Sequence, residues 1–321
     1  MKYRVIHKTE YLYSGTITQC HNIAHLRPRN LPGQQCLSHR LEVDPPPFDI
    51  TGHEDFFGNQ VSYFSIQQPH RNLKVIAVSE LHLDEQAIQL PLYNDLAWDE
   101  VRARLANPRE AELRESRQYV LDSPMVAGSP AFAGYAAPSF PGGRPLLEAV
   151  HDLMQRVHRE FTYDPGSTTI RTPLSDVLAN RRGVCQDFAH LAIACLRSLG
   201  LAARYVSGYL ETLPSPGQEK LQGADDSHAW FSVFLPETGW MDFDPTNNQI
   251  PQYQHITTAW GRDFGDVTPL KGIIYGGDPG HRIHVAVDVE RLDGGKDAMS
   301  DPGSSTADGV PESGVFKRKS W

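Results

Sequence analysis

The sequence predicts an α+β fold, in which a helix with a cysteine at its start packs on an antiparallel sheet. A β-rich domain precedes these elements. Three observations support this fold: strand-like alternation in residues 1–88, an apolar stripe at helical spacing in residues 185–199, and three further strand-like runs in residues 202–244. A helix followed by antiparallel strands forms a layered α+β arrangement. We expect roughly two domains in a chain of 321 residues.

The composition is typical of a water-soluble globular protein. Apolar residues make up 40% of the chain, charged residues make up 21%, and the formal net charge is −9. This charge argues against nucleic acid or an anionic membrane surface as the main partner. No segment approaches the roughly 20 apolar residues of a membrane span, and the N-terminus shows no signal-peptide pattern. The four cysteines form no C-x-x-C pair, so we expect no disulfide scaffold, no metal site, no cofactor and a cytoplasmic location.

The N-terminal β-rich domain is predicted to span residues 1–88. Alternate residues from Tyr3 to Tyr13 share one parity, which favours a long first strand, and residues 61–66 and 73–78 are further strand candidates. A helical and loop connector follows at 89–144. Apolar residues predict helices in its first part, whereas 123–144 is rich in Pro, Gly, Ser and Ala and is interpreted as a connector or surface loop.

The catalytic core is predicted to span residues 145–292. An apolar stripe predicts a helix from about 146 to 161, and Thr172 followed by Pro173 is typical of the start of a short helix. Strands are expected at 202–210, 228–235 and 239–244. A late strand at 283–289 belongs to this range, although the sequence leaves open which sheet it joins. Residues 293–321 are Gly-, Ser- and Asp-rich, and we expect a disordered tail.

Cys185 is the candidate nucleophile, because it stands where the third predicted helix of the core begins. The apolar stripe that follows ends just before Gly200, which is a typical helix stop. The first turn of a helix has free backbone N–H groups and the positive end of the dipole, so a thiol there ionises more easily. The alternative is a small buried core residue, which is what we expect of Cys195 on the same stripe.

A histidine and an aspartate that would complete a triad lie in a predicted hairpin downstream. Residues 236–238 are interpreted as its loop, and if Phe234 pairs with Thr238, then His228 directly faces Asp244. The carboxylate would then orient the imidazole and stabilise its cation. Asp242 has the same parity and is the competing orienter. A one-residue slip would turn Asp244 to the other face.

At this point the chain resembles a known family. Residues 183–185 (Gly-Val-Cys), 227–230 (Ser-His-Ala-Trp) and 239–246, which ends in Phe-Asp-Pro-Thr, are similar to the three blocks of the transglutaminase-like core. That core belongs to the papain-like group of thiol enzymes, and the resemblance covers about 145–250. Residues 3–13, 26–29 and 57–59 also resemble the β-rich N-terminal domain of bacterial members, and 260–269 resembles the segment after their core.

The resemblance implies a mechanism. Cys185 would attack an acyl carbon, His228 would serve as base and then as acid, Asp244 would orient the histidine, and a thioester would form. Water or an amine would then resolve the thioester. The backbone N–H of Cys185 would be one oxyanion donor, and Gln186 and Tyr163 are candidates for the second.

Departures from the family pattern favour hydrolysis over crosslinking. In animal-type transglutaminases a tryptophan follows the nucleophile and another lies upstream, whereas here Gln186 follows Cys185 and no tryptophan lies between Trp98 and Cys185. The first hypothesis is therefore metal-independent hydrolysis of an amide or peptide bond in a peptide or protein substrate. The second is acyl transfer to an amine. The third is a non-catalytic binding module, in which Cys185 would be unreactive.

Other polar residues have simpler interpretations. Asp187 in the first helical turn is interpreted as structural, and His190 on the same helix as a packing residue. His21 and His25 have helical metal-ligand spacing, but they lie in a predicted β domain, which favours a structural or surface role. For Arg262 an ion pair with a nearby aspartate is favoured over binding of a substrate carboxylate.

Overall fold

The computed structural model describes residues 1–84, 96–212, 227–252, 254–278 and 280–292. The chain begins with five strands: β1 (Lys2–Ala24), β2 (Gln34–Asp44), β3 (Asp49–Glu54), β4 (Gln60–Ile66) and β5 (His70–Leu83). Alternate residues at the start of β1 are buried, as the parity of its tyrosines and valines predicts. The predicted disordered tail, 293–321, lies outside the described residues.

Four helices follow: α1 (Trp98–Ala106), α2 (Ala111–Ser116), α3 (Pro130–Ala136) and α4 (Leu146–Glu160). The interpretation of 123–144 as a connector or loop was wrong where α3 lies. Ser129 caps α3 by accepting a hydrogen bond from the backbone N–H of Phe132, and Pro130 occupies the first turn. Because Phe132 and Tyr135 are buried in the same core as α4, this helix is part of the packed structure.

The segment after α4 leads to the cysteine helix through β6 (Thr162–Tyr163), α5 (Leu174–Asn180), β7 (Arg182–Gly183) and α6 (Cys185–Ser198). The predicted short helix is present as α5, but Thr172 does not cap it: Pro173 is the N-cap residue, and the Thr172 hydroxyl accepts from the backbone N–H of Thr169 instead. α6 begins at Cys185, as its pattern predicts, and Gly200 follows it with φ +80°.

A four-stranded antiparallel sheet covers α6. Its strands are β8 (Ala203–Leu210), β9 (Ser227–Leu235), β10 (Gly239–Phe243) and β11 (His255–Gly261), in the order β10-β9-β8-β11. Residues 187–197 of α6 are buried, and the helix packs on β8 and β9. Helix and sheet share one apolar core. This packing holds α6 against the sheet and so positions the start of the helix, where Cys185 lies.

The last elements in the described residues are α7 (Phe264–Val267), β12 (Leu270–Gly276) and β13 (His281–Arg291). Both final strands pair with β1, in a seven-stranded sheet with the main order β2-β5-β1-β4-β3. The late strand, which the sequence assigned to the 145–292 range without choosing a sheet, therefore returns to the N-terminal sheet. β1 is 23 residues long and provides the backbone edge with which β13 pairs.

The two sheets are joined by buried contacts. Tyr209 of β8 and Ile256 of β11 pack with residues of β1, β5 and β13 in one apolar cluster. The side chain of Asn59 donates to the carbonyl of Trp260 (2.9 Å) and accepts from its N–H (3.0 Å). Within the described part of the chain, no helix is long and apolar enough to cross a membrane.

Candidate active site

The position of Cys185 is set by the way α6 begins. The Asp187 carboxylate accepts hydrogen bonds from the backbone N–H of Val184 (2.9 Å) and from the Thr168 hydroxyl (2.6 Å). Burial raises the pKa of Asp187, and these hydrogen bonds oppose that shift. Asp187 therefore anchors the first turn, as its structural interpretation expected. Cys185 is half-buried at the first position of α6, among the backbone N–H groups that a helix start leaves without helical partners.

His228 of β9 lies between the other two predicted triad members. Its Nε2 donates to Oδ2 of Asp244 at 2.8 Å, and its side chain also lies within hydrogen-bonding range of the Cys185 side chain. Because Nε2 is directed to the carboxylate, Nδ1 is left for the thiol. The His228 side chain is only 9% exposed and Asp244 is fully buried. The structure thus brings together the three residues that the sequence places far apart.

The hairpin that joins these residues differs in register from the prediction. The loop is 236–238 as expected, but Leu235 pairs with Gly239, so Asp242 lies opposite Ser232. The register is shifted by two residues, and His228 does not directly face Asp244. A shift of two keeps every side chain on its predicted face, and a diagonal neighbour is still within reach of a side chain. The contact between His228 and Asp244 is therefore kept despite the shifted register.

Asp244 is surrounded by hydrogen-bond donors. Oδ1 accepts from the backbone N–H groups of Thr246 (3.0 Å) and Asn247 (3.2 Å). Oδ2 accepts from His228, from the Asn247 side chain (2.8 Å) and from Nε2 of His255 (3.0 Å). Sequence reasoning missed Asn247 and His255. The turn after Asp244 could have indicated Asn247, whereas His255 is brought here by the pairing of β11 with β8, which has no local signal.

This network strongly perturbs the ionisation of both partners. Burial alone would lower the pKa of His228, but hydrogen bonds and charge interactions with Asp244 and Cys185 outweigh it and raise the pKa to about 10. Burial also opposes ionisation of Asp244, yet the hydrogen bonds from His228 and His255 hold the pKa of Asp244 well below its usual range. The arrangement favours an imidazolium next to a permanent carboxylate, and this cation can in turn stabilise a thiolate.

Asp242, the competing orienter, has other partners. It accepts hydrogen bonds from Nε1 of Trp230 (2.9 Å) and from the hydroxyl of Ser232. These bonds tie β10 to β9 at mid-strand, so Asp242 holds the sheet together while Asp244 contacts the histidine.

The two candidates for a second oxyanion donor lie near Cys185 along the backbone. Gln186 is half-buried in the first turn of α6. Tyr163 of β6 pairs with Gly183 of β7, two residues before Cys185, and is 47% exposed. Their role as donors stays a prediction.

The remaining polar candidates have structural partners. His190 is buried, accepts from the backbone N–H of Phe264 and packs on a tyrosine ring, and burial lowers its pKa to about 4. Arg262 forms a two-point ion pair with Asp266 (2.9 and 3.0 Å). His21 bonds to the Tyr63 hydroxyl, so it has a partner of its own away from the active site.

One group in the described residues has the spacing of a metal site. His228, Asp244 and His255 each present a ligand atom, and these atoms lie within 4.8 Å of one another. Imidazole and carboxylate suit zinc. The same atoms already form the hydrogen bonds described above, however, and a metal would compete with the proton on Nε2 of His228. The expected absence of a metal cofactor stays a prediction.

Comparison with known proteins identifies relatives of both the N-terminal region and the core. The profile of the bacterial transglutaminase-like N-terminal region matches residues 3–82, and that of the transglutaminase-like superfamily matches 135–245. An uncharacterized protein of Mycobacterium tuberculosis is 42% identical over 301 residues, covering 91% of this chain and 94% of that protein. A protein-glutamine gamma-glutamyltransferase of Pseudomonas aeruginosa is 30% identical over 129 residues, which are 34% of this chain and 19% of that enzyme.

Solved structures agree with this fold. The crystal structure of a "Putative Cysteine Protease" from Cytophaga hutchinsonii superposes with a TM-score of 0.69 at 21% identity, covering 93% of this chain and 92% of that one. Both profiles, the full-length relative and the shared fold lead to one conclusion: the chain belongs to the transglutaminase-like superfamily, with a bacterial-type N-terminal region.

Proposed function

We propose that this protein is a thiol-dependent hydrolase that cleaves an amide or peptide bond in a peptide or protein substrate. Cys185 is the nucleophile, His228 the base and acid, and Asp244 the orienting carboxylate. The observation that supports this most directly is the grouping of Cys185, His228 and the buried Asp244 at the start of a buried helix, with His228 hydrogen-bonded to Asp244 and in electrostatic interaction with Cys185. A nucleophile, a base and an orienter in this order are the usual requirement for covalent catalysis.

The reaction proceeds in two halves. The Cys185 thiolate attacks the acyl carbon, a C–S bond forms, and the His228 imidazolium gives its proton to the leaving nitrogen as the C–N bond breaks. Neutral His228 then takes a proton from water, whose oxygen attacks the thioester. The C–S bond breaks, the carboxylic acid leaves, and the proton on His228 restores the starting ion pair.

The oxyanion of each tetrahedral intermediate needs donors near the sulfur. The backbone N–H of Cys185 is one, because the first positions of a helix have no helical acceptor for it. Gln186 and Tyr163 remain the candidates for the other. Loss of one such donor typically costs about 3–4 kcal/mol in the barrier.

His255 and Asn247 act as positioning residues in this proposal. Both donate to the carboxylate oxygen that His228 uses, and neither contacts the sulfur in the interactions described above. Their N–H groups keep the Asp244 carboxylate ionised and fix its orientation. The carboxylate in turn fixes the orientation of the His228 ring.

A substitution at Cys185 tests the nucleophile. We expect Cys185→Ala and Cys185→Ser to abolish hydrolysis of responsive members of a panel of glutamine-containing peptides while leaving the circular dichroism spectrum unchanged. Cys36→Ser, which removes a half-buried thiol from β2, is the control and keeps activity. Undiminished turnover in Cys185→Ala would overturn the proposal.

Acyl transfer to an amine is the second candidate, because the partial relative from Pseudomonas aeruginosa is a protein-glutamine gamma-glutamyltransferase. Both candidates share every step up to the thioester. Ammonia leaves a glutamine side chain as the thioester forms in both cases, so the acyl product separates them when a primary amine is present: the free acid indicates hydrolysis, and an amide of the added amine indicates transfer. We expect the acid to predominate, because Gln186 stands where crosslinking enzymes of the animal type have tryptophan.

We also infer a reducing compartment, with the cytoplasm as the proposed location. All four cysteines are free thiols, and Cys20 and Cys195 are buried. Proteins of oxidising compartments more often pair their cysteines. The substrate we propose is a peptide or protein amide, rather than nucleic acid or a membrane surface, in keeping with the net charge of −9.

A further inference from the structure

A second polar site lies farther along the four-stranded sheet, away from the cysteine. Arg204 is near the start of β8, opposite Ser232, whereas His228 lies opposite Gly208. Four residues of strand separate the two positions, which is about 13 Å. The proposed hydrolase site uses none of the groups around Arg204.

Arg204 is a buried cation held between aromatic rings. Its guanidinium carbon lies 4.3 Å from the centre of the Trp240 ring and 3.7 Å from that of Trp260. Arg204 as a whole is only 7% exposed. The Arg29 guanidinium lies over the same Trp260 ring, at 3.6 Å, so two positive charges share one indole. Cation–π contacts offset part of the cost of burying this charge.

The Arg204 guanidinium makes no hydrogen bond to any residue that the structure describes, and its Nε is buried without a partner. Asp242 is close enough for charge attraction, but its oxygens accept from Trp230 and Ser232 instead. Burial lowers the pKa of Arg204 to about 10, and the charge of Arg29 adds to this effect. A guanidinium has five N–H donors, and leaving the buried Nε of Arg204 unpaired is unfavourable.

Arg204 lines a cavity of about 520 Å³, a size that suits a small ligand. Its inner wall is aromatic and includes the buried Tyr119 and Phe234 together with Trp240. Three exposed carboxylates lie among its lining residues: Glu112 and Glu115, and Glu237, which already pairs with Arg104 at 3.3 Å. The cavity thus combines a buried cation, apolar walls and an acidic rim.

We propose that this cavity binds the free C-terminal carboxylate of a short peptide that ends in an aromatic residue and carries a positive charge. The carboxylate would pair with the unpartnered Arg204 fork, which is the usual geometry for this pair. The aromatic side chain lies against Phe234 and Trp240. The ammonium group lies at the acidic rim, which disfavours ligands that carry only negative charge.

A matched pair of dipeptides tests the proposal. Lys–Phe and its C-terminal amide differ only in the carboxylate and are titrated calorimetrically into Cys185→Ala protein, which prevents turnover, and into the wild type. We expect saturable binding of the acid and at least about tenfold weaker binding of the amide, in both proteins. Equal binding of acid and amide, or no saturable binding of the acid below about 10 mM, would overturn it.

A substitution tests whether Arg204 causes the preference for the free acid. Arg204→Met retains much of the side-chain volume without the charge, and we expect it to bind acid and amide equally weakly. A folded Arg204→Met protein that still prefers the acid would contradict the assignment. Should this variant not fold, the wild-type comparison of acid with amide still decides whether a free carboxylate is recognised. Because the titration of the Cys185→Ala protein measures binding without turnover, failure here and failure of the proposed hydrolase are separate results.

Discussion

Two buried charges on the four-stranded sheet differ in how they are satisfied. Asp244, near the cysteine helix, accepts five hydrogen bonds, two from backbone N–H groups and three from side chains. Arg204, farther along the sheet, is stacked between Trp240 and Trp260 and has no hydrogen-bond partner among the described residues. Both groups are buried, but only the Asp244 side chain has hydrogen-bond partners among the described residues.

The difference separates a preformed reaction site from a site that awaits a partner. A charge with a full set of donors is fixed in position and ionisation state before any substrate arrives. A charge that is buried but unpaired gains hydrogen bonds only when a ligand supplies them. The first arrangement suits catalysis, in which geometry must be set in advance. The second suits recognition of an anion.

The largest expected effect comes from removing the charge of Asp244. We expect Asp244→Asn to reduce kcat by roughly 10³–10⁴-fold, because the histidine loses its orienting anion. Asp242→Asn, two residues earlier in the chain and on β10, is the matched control, since it weakens the hydrogen bonds with Trp230 and Ser232 and leaves those of His228 intact. It should lower the melting temperature and change kcat far less. Equal losses of kcat in both folded variants would contradict the assigned roles.

The pH dependence of activity tests the same carboxylate. The pKa of His228 is raised to about 10, so its protonated form persists below that pH and is lost as the pH rises through it. We expect the alkaline limb of kcat/KM to fall near pH 10 in the wild type. Removing the Asp244 charge leaves burial, which lowers the pKa of His228, opposed by Cys185 alone, so the limb should move to lower pH in Asp244→Asn. An unmoved limb would show that Asp244 does not control the histidine.

His255 has a smaller expected effect. We expect His255→Leu to lower kcat about tenfold, because the loss of one hydrogen bond to a charged group is worth about 1.5–3 kcal/mol and only part of it reaches the reacting atoms. His255→Gln can place an amide N–H near the position of Nε2 and should recover most of the activity. Equal activity of the Leu and Gln variants would show that His255 only fills space. The pH profile of the Leu variant separates positioning from packing, since weaker anchoring of Asp244 should shift the alkaline limb.

The smallest expected effect is that of metal removal. The atoms of His228, Asp244 and His255 have the spacing of a metal site, yet the network described above is held by hydrogen bonds. We expect dialysis against EDTA to leave kcat/KM unchanged and added zinc to inhibit by displacing the proton from His228. A loss of activity that stoichiometric metal restores would mean that this group holds a functional ion.

Much of the helix and strand content follows from local pattern. α4 and α6 begin within a residue of the positions that their apolar stripes indicate, and the hairpin loop at 236–238 was identified from its sequence. α3 was missed because Pro and Gly within it are typical of loops, although its alanines, the Ser129 cap and the spacing of Phe132 and Tyr135 could have indicated a helix.

The parts that local pattern could not supply depend on long-range pairing. Residue parity does not distinguish a hairpin register from one shifted by two, which is why Asp244 was expected directly opposite His228. His255 reaches Asp244 because β11 pairs with β8, and the return of β13 to β1 is equally non-local. The burial of Arg204 between two tryptophans from different strands also follows from that pairing and from no nearby residue.

The most direct test of the central proposal is to identify the covalent intermediate. The wild-type protein is mixed with a reactive glutamine-containing peptide, quenched in acid and mapped by mass spectrometry, with Asp244→Asn and Cys185→Ala as comparisons. We expect an acyl adduct on Cys185, none on the buried Cys195 of the same helix, and none in Cys185→Ala. An adduct on another residue, or turnover of the peptide with Cys185 never acylated, would contradict a thiol mechanism at this site.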